Sequence, residues 1–153
     1  MSVVERRYWD SDCFLGWLNQ EPDKEDLCGH VLTEADEGKI LLVTSALTLA
    51  EVLKIDSSRR IDIDQEQQVI NFFKNEYIAV RNVTRHIAES ARELVWHKGI
   101  DPKDAIHVAT AIDAGLEYFN TFDKNLLRKN GLIGDPPLII SRPQVDNPKL
   151  RFD

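Results

Sequence analysis

Residues Asp101 to Asp123 read D-P-K-D-A-I-H-V-A-T-A-I-D-A-G-L-E-Y-F-N-T-F-D, and this stretch decides the fold class. It opens with the signals of a helix start. Asp101 can cap free amides, Pro102 suits the first helical position because it has no amide to leave unpaired, and Asp104 puts negative charge in the first turn. Ile106, Ala109, Ala111 and Ile112 supply an apolar face, and Gly115 supplies a residue able to take the left-handed conformation that ends a helix. A short strand-like run, Leu116 to Asn120, then leads to Thr121 and Asp123. One carboxylate stands at a helix start and another just past a strand, where open α/β sheets bind their ligands.

Outward from this stretch the same alternation recurs. Arg6 to Trp9 is a short strand stopped at Asp10, after which Phe14, Leu15, Trp17 and Leu18 give a helical apolar face. Glu21 to Asp26 is a polar break with Pro22, and Leu27 to Gly38 is a second, weaker helix closed by glycine. Ile40 to Val43 is a continuous apolar run, as in a strand covered on both faces. Thr44 and Ser45 offer caps for a helix through Leu53 that carries Glu51. Residues 54–63 are charged and irregular, whereas Asp64 to Asn75 is helical with Val69, Ile70 and Phe73 on its buried side. Tyr77 to Val83 is a further strand, Thr84 caps a helix to about Lys98, and Gly99 stops it. A short helix from Asp123 to about Lys129 and a last strand, Leu138 to Ile140, complete the set. Alternating strands and helices predict an α/β fold: three α/β/α layers around a central, mostly parallel sheet of four to five strands. Residues 1–140 are expected to form one domain, and 141–153, with Pro143 and Pro148, a loosely held tail.

Composition limits the functions open to such a domain. With 42% hydrophobic and 29% charged residues and no apolar run near the roughly 20 needed to span a bilayer, the sequence reads as soluble and cytoplasmic, with no membrane partner. Cys13 and Cys28 form no disulfide ladder, and the four histidines, at 30, 86, 97 and 107, have no zinc-ligand spacing, so any metal would be held by oxygen. The net charge of −7 argues against a broad phosphate-binding surface. Its distribution matters more: residues 1–40 hold 4 basic and 10 acidic groups, whereas 121–153 hold 6 and 4.

Four acids occupy special places: Asp10 after the first strand, Glu51 on the helix after the second, Asp104 at a helix start and Asp123 after the fourth strand. Strand ends of a parallel sheet point one way, so these distant residues can meet at one rim. Clustered carboxylates cannot all stay ionised without a cation, and hard ions such as Mg²⁺ or Mn²⁺ serve that purpose. Such an ion lowers the pKa of bound water and stabilises a phosphodiester in flight, so hydrolysis of a phosphate ester is the expected chemistry. No G-x-S-x-G, no G-x-x-x-x-G-K-[ST] and no G-x-G-x-x-G competes with it.

Taken together, Asp10 in R-R-Y-W-D-S-D, Glu51 in T-S-A-L-T-L-A-E, Asp104 in K-D-A-I-H-V-A-T-A and Asp123 in N-T-F-D-K-N-L resemble the PIN-domain family over roughly residues 6 to 140. That family includes metal-dependent endoribonucleases, among them VapC-type toxins of toxin–antitoxin pairs. The resemblance implies a parallel-sheet α/β/α fold, single-stranded RNA as substrate, Mg²⁺ or Mn²⁺ as cofactor, and Asp10, Glu51, Asp104 and Asp123 as catalytic metal-binding acids. Ser11 and Thr121 match small polar positions beside them. Asp12 stands where a neutral polar residue is more usual, which leaves open an additional ligand. A toxin would bring an antitoxin partner, and the apolar residues of the 45–55 and 64–75 helices offer a seat for it or a homodimer seam.

Each of these residues also has a plainer reading. Asp104 and Asp12 can serve as helix N-terminal acids, Asp123 as a cap, Asp10 as a turn residue and Glu51 as a surface acid. His107 reads as a packed, hydrogen-bonded histidine and Trp9, Trp17 and Trp96 as core; Arg59 and Arg60 are cations able to meet a phosphate backbone. Two other functions remain to be separated from the nuclease: a PIN-fold scaffold that binds RNA or protein without turnover, and a small-molecule phosphatase of the D-x-D type suggested by W-D-S-D.

Overall fold

A computed structural model describes residues 3–52 and 63–144. Five strands form one sheet: β1 (Glu5–Trp9), β2 (Ile40–Ser45), β3 (Ile78–Arg81), β4 (Tyr118–Asn120) and β5 (Ile139–Ser141), in the order β3-β2-β1-β4-β5 with every pairing parallel. The described helices are α1 (Ser11–Leu18), α2 (Glu25–Asp36), α3 (Ala46–Glu51), α4 (Ile63–Phe72), α5 (Arg85–Lys98), α6 (Pro102–Asp113) and α7 (Lys124–Leu127).

Strand alternation divides the core into two layers. Tyr8, Val43, Phe119 and Ile140 point to one face, where Ile87 and Ala91 of α5, Ala105, Val108 and Ala111 of α6 and Leu126 of α7 cover them. Trp9, Leu42 and Ile78 point to the other, against Phe14 of α1, Cys28, Val31 and Leu32 of α2 and Val69 of α4. Both faces of β2 are therefore covered by apolar side chains, which is why Ile40 to Val43 shows no polar alternation.

The element boundaries differ from the expected ones in instructive ways. α2 begins at Glu25, two residues before its first apolar residue, with Glu25 and Asp26 placed at the positive end of the helix dipole. Asp101 precedes α6 without making a side-chain cap bond. Gly99 and Gly115 do end their helices, at φ of 65° and 70°. β3 is shorter than expected because it is an edge strand whose far end, Val80 and Arg81, is exposed. Ser141 closes β5 rather than opening the tail, and Arg7 Nη1 donates to Gln144 O at 2.5 Å. Trp9 is fully buried, but Trp96, expected in the core, is 65% exposed with the Arg92 guanidinium 4.9 Å above its ring. Leu53, Arg59, Arg60, nearly all of the irregular 54–63 segment and the tail beyond Gln144 lie outside the described residues.

Candidate active site

Chain order reverses across β1: β2 lies on one side and β4 on the other, and the connections leaving β1, to α1, and leaving β4, to α7, go to opposite faces and open a crevice at the carboxyl ends. Asp10, the first residue past β1, sits on one lip, and Thr121 with Asp123 sits past β4 on the other. A hydrogen bond ties the lips: Thr121 Oγ1 donates to Asp10 Oδ2 at 2.5 Å and accepts from the Asp123 amide at 3.0 Å. The second Asp10 oxygen accepts from the Cys13 amide at 3.3 Å, which caps α1. Asp123 likewise caps α7, accepting from the Leu126 amide at 3.3 Å. The capping readings of Asp10 and Asp123 thus describe the same geometry that aims these acids at the crevice.

Asp12 and Asp104 occupy the first turns of α1 and α6 and complete the rim. Asp10 is 2% exposed; burial, with Asp12 adding repulsion, pushes its carboxyl up to about 7 despite the Thr121 bond. Burial pushes Asp104 up to about 6, helped by Asp123 and opposed by His107. Asp12 is raised by burial as well; Lys24 opposes the shift, while Asp123 and Glu51 reinforce it. Asp12 therefore senses acids from both sides of the crevice.

Glu51 is held differently. Its Oε1 lies 2.7 Å from His107 Nε2, and His107 Nδ1 lies 2.5 Å from the Tyr8 hydroxyl. Burial, with Asp10 next, keeps the Tyr8 hydroxyl protonated far above its ordinary range, so it can donate to Nδ1 while Nε2–H donates to the carboxylate. His107 is 1% exposed with both ring nitrogens engaged, which matches its reading as a packed, hydrogen-bonded histidine. The sequence carries no local sign that β1, α6 and α3 meet through it. Ser11 is buried under the rim. Lys24, which sequence reading passed over, stands beside the cluster with its ammonium 5.2 Å from the Phe122 ring centroid.

The donor set is all hard carboxylate oxygen, and the raised Asp10 and Asp104 are what a divalent cation would relieve. In chemistry the residues fit Mg²⁺ or Mn²⁺. In spacing, no three His, Cys, Asp or Glu side chains among the described residues stand close enough to share an ion as they are. Asp10 has both oxygens engaged by Thr121 and Cys13, and Glu51 gives one to His107.

The PIN domain family model matches residues 8–132, and the chain belongs to that family. Solved structures share the fold. The VapC20 toxin of Mycobacterium tuberculosis, described as cleaving the Sarcin-Ricin loop, is 19% identical with a TM-score of 0.63, covering 77% of this chain and 90% of its own. VapBC2 of Rickettsia felis, bound to a promoter DNA fragment, is 15% identical with a TM-score of 0.63 and coverage of 90% and 97%. A toxin–antitoxin complex of Klebsiella pneumoniae is 21% identical with a TM-score of 0.61 and coverage of 84% and 96%. Among curated proteins none matches by sequence. No helix of the described residues is long and apolar enough to cross a membrane. The D-x-D phosphatase reading loses its basis, since W-D-S-D opens α1 of a PIN domain.

Proposed function

We propose that this PIN-domain protein is a metal-dependent endoribonuclease that hydrolyses phosphodiester bonds of single-stranded RNA in the cytoplasm, and that it is the toxin of a toxin–antitoxin pair. The observation carrying this reading is the pair of acids past β1 and at the start of α6, Asp10 and Asp104, whose carboxyls burial and neighbouring acids push up to about 7 and 6. Asp10, Glu51, Asp104 and Asp123 would hold Mg²⁺ or Mn²⁺, with Asp12 as an auxiliary acid; the ion supplies an activated water and charge stabilisation at the phosphate. The protein's own groups do the positioning. Thr121 orients Asp10, the α7 cap orients Asp123, and the Tyr8–His107 pair fixes one oxygen of Glu51.

Incubation of single-stranded RNA with the protein and Mn²⁺, with and without EDTA, tests the reading. Cleavage that EDTA stops and Asp104→Asn abolishes is expected; cleavage indifferent to both would refute it. A scaffold without turnover is the second reading, favoured by the hydrogen bonds that occupy Asp10 and Glu51. Calorimetric titration with Mn²⁺ tests their shared premise: a flat trace counts against the nuclease and a metal-bearing scaffold alike, and Mn²⁺ binding without RNA cleavage is the scaffold's outcome. An antitoxin or a second copy would find exposed apolar surface at Leu49 of α3 and at Ile70 of α4, the latter expected on the buried side of its helix but turned outward, 40% and 48% exposed.

A further inference from the structure

We propose that Lys24 is a substrate-positioning residue whose ammonium, moored over Phe122 at the edge of the acid rim, takes a non-scissile phosphate of single-stranded RNA. The inference rests on the nuclease reading and adds to it a cation held over Phe122, between Thr121 and Asp123.

The mooring begins with a missing side chain. Gly16 lies inside α1 and is buried, a position where glycine weakens a helix. A Cβ there would fall 2.9 Å from Lys24 Cβ and 3.1 Å from its Cδ, so the lysine stem fills the space that any other residue at 16 would need. The turn between the helices fixes this contact, with Glu21 N bonded to Gly16 O at 3.0 Å and Lys24 N to Glu21 O at 2.9 Å. The stem ends with its ammonium 5.2 Å from the centroid of Phe122, the residue between Thr121 and Asp123.

The ammonium is also free to bind more. Its ion pair with Glu21 Oε1 is long, 3.4 Å, and both side chains are partly exposed, at 30% and 39%. An ammonium has three donors, so one loose carboxylate leaves capacity for a phosphate oxygen. A protein of net charge −7 that offers a cluster of acids to RNA repels the strand it must hold. A fixed cation beside those acids offsets this where the backbone enters.

The test is anisotropy titration of a labelled single-stranded RNA oligonucleotide in EDTA over a range of KCl, together with Mn²⁺ cleavage kinetics. Lys24→Gln should weaken binding roughly fivefold and reduce the slope of log K against log salt by about 0.7, the value for one phosphate contact on a single strand. KM should rise while kcat stays within about twofold, a split that loss of fold would not produce. Gly16→Ala should behave alike, because its methyl group displaces the lysine stem, and Lys24→Arg should restore binding. An unchanged salt slope in a folded Lys24→Gln protein overturns the proposal and leaves the nuclease standing. Wild-type protein that neither binds nor cuts RNA removes the nuclease reading, and the Lys24 role with it.

Discussion

The two ends of the sheet contrast sharply. Among the described residues, hollows at the amino ends of the strands measure about 460 Å³ beside Gly115, Glu117 and Asp135, about 470 Å³ beside Val4, Asp36 and Glu76, and about 380 Å³ between the first strand and Leu116. Among the described residues, one hollow at the carboxyl end, beside Asp104 and Asp123, measures about 40 Å³. Yet Glu117, Asp135, Asp36 and Glu76 are all exposed, whereas Asp10 is 2% exposed. Water solvates the first set at no cost, while the second is kept charged only at the expense of stability. The contrast teaches that unfavourable charge placement is what distinguishes the carboxyl end, where the proposed site lies.

The strongest way to break that contrast is to remove one crowded acid. Asp104→Asn or Asp10→Asn should lower Mn²⁺-dependent RNA cleavage on the order of 10³-fold, measured as single-turnover rate, with far-UV circular dichroism unchanged. A variant cutting at the wild-type rate would end the argument for the carboxyl rim.

The same acids predict a dependence of stability on pH. Folded Asp10 and Asp104 hold their protons to about 7 and 6, above the ordinary value of 3.8. The folded state thus binds more protons than the unfolded chain between those limits. Its stability is greatest below about pH 4 on this account and is lost as pH rises through 6 to 7. In EDTA, Asp10→Asn should therefore gain melting temperature relative to wild type between pH 5 and pH 7.5. A difference that is flat or shrinks over that interval would show that Asp10 is not strained. Mn²⁺ added at pH 7.5 should raise the wild-type melting temperature and leave Asp10→Asn nearly unmoved.

A smaller effect is expected where the rim is supported from beneath. Tyr8→Phe removes the hydroxyl 2.5 Å from His107 Nδ1 and leaves a buried ring nitrogen unpaired, at a cost of about 1–2 kcal/mol. Cleavage should fall about tenfold through Glu51, with KM for RNA little changed. Equal kinetics in variant and wild type would mean that the chain of hydrogen bonds serves stability alone.

How much of this was legible follows from what each feature depends on. Asp10, Asp104 and Asp123 could be read because each lies at an element boundary that local chemistry marks: an apolar run that stops, a proline that starts a helix, a cap before a short one. The two-layer core followed from the continuous apolar run at β2. The Tyr8–His107–Glu51 chain could not be read, since its bonds join residues 99 and 56 positions apart. Lys24 left one faint sign, a glycine inside α1, which gains meaning only when α2 packs on it. Trp96 misled because a tryptophan in an amphipathic helix suggests core, whereas an arginine one turn earlier can hold its ring at the surface.

The least effect is expected at the amino end, and it sharpens the comparison. Glu117 lines two of the larger hollows, and its backbone carbonyl accepts from the Ile139 amide at 2.9 Å, while its side chain is exposed. Glu117→Gln keeps the backbone bond and removes one solvated charge, so stability should stay within about 0.5 kcal/mol and RNA cleavage within about twofold. If the substitution lowered cleavage tenfold, the amino end of the sheet would belong to the path of the substrate. The acid rim would then need a second surface to account for activity.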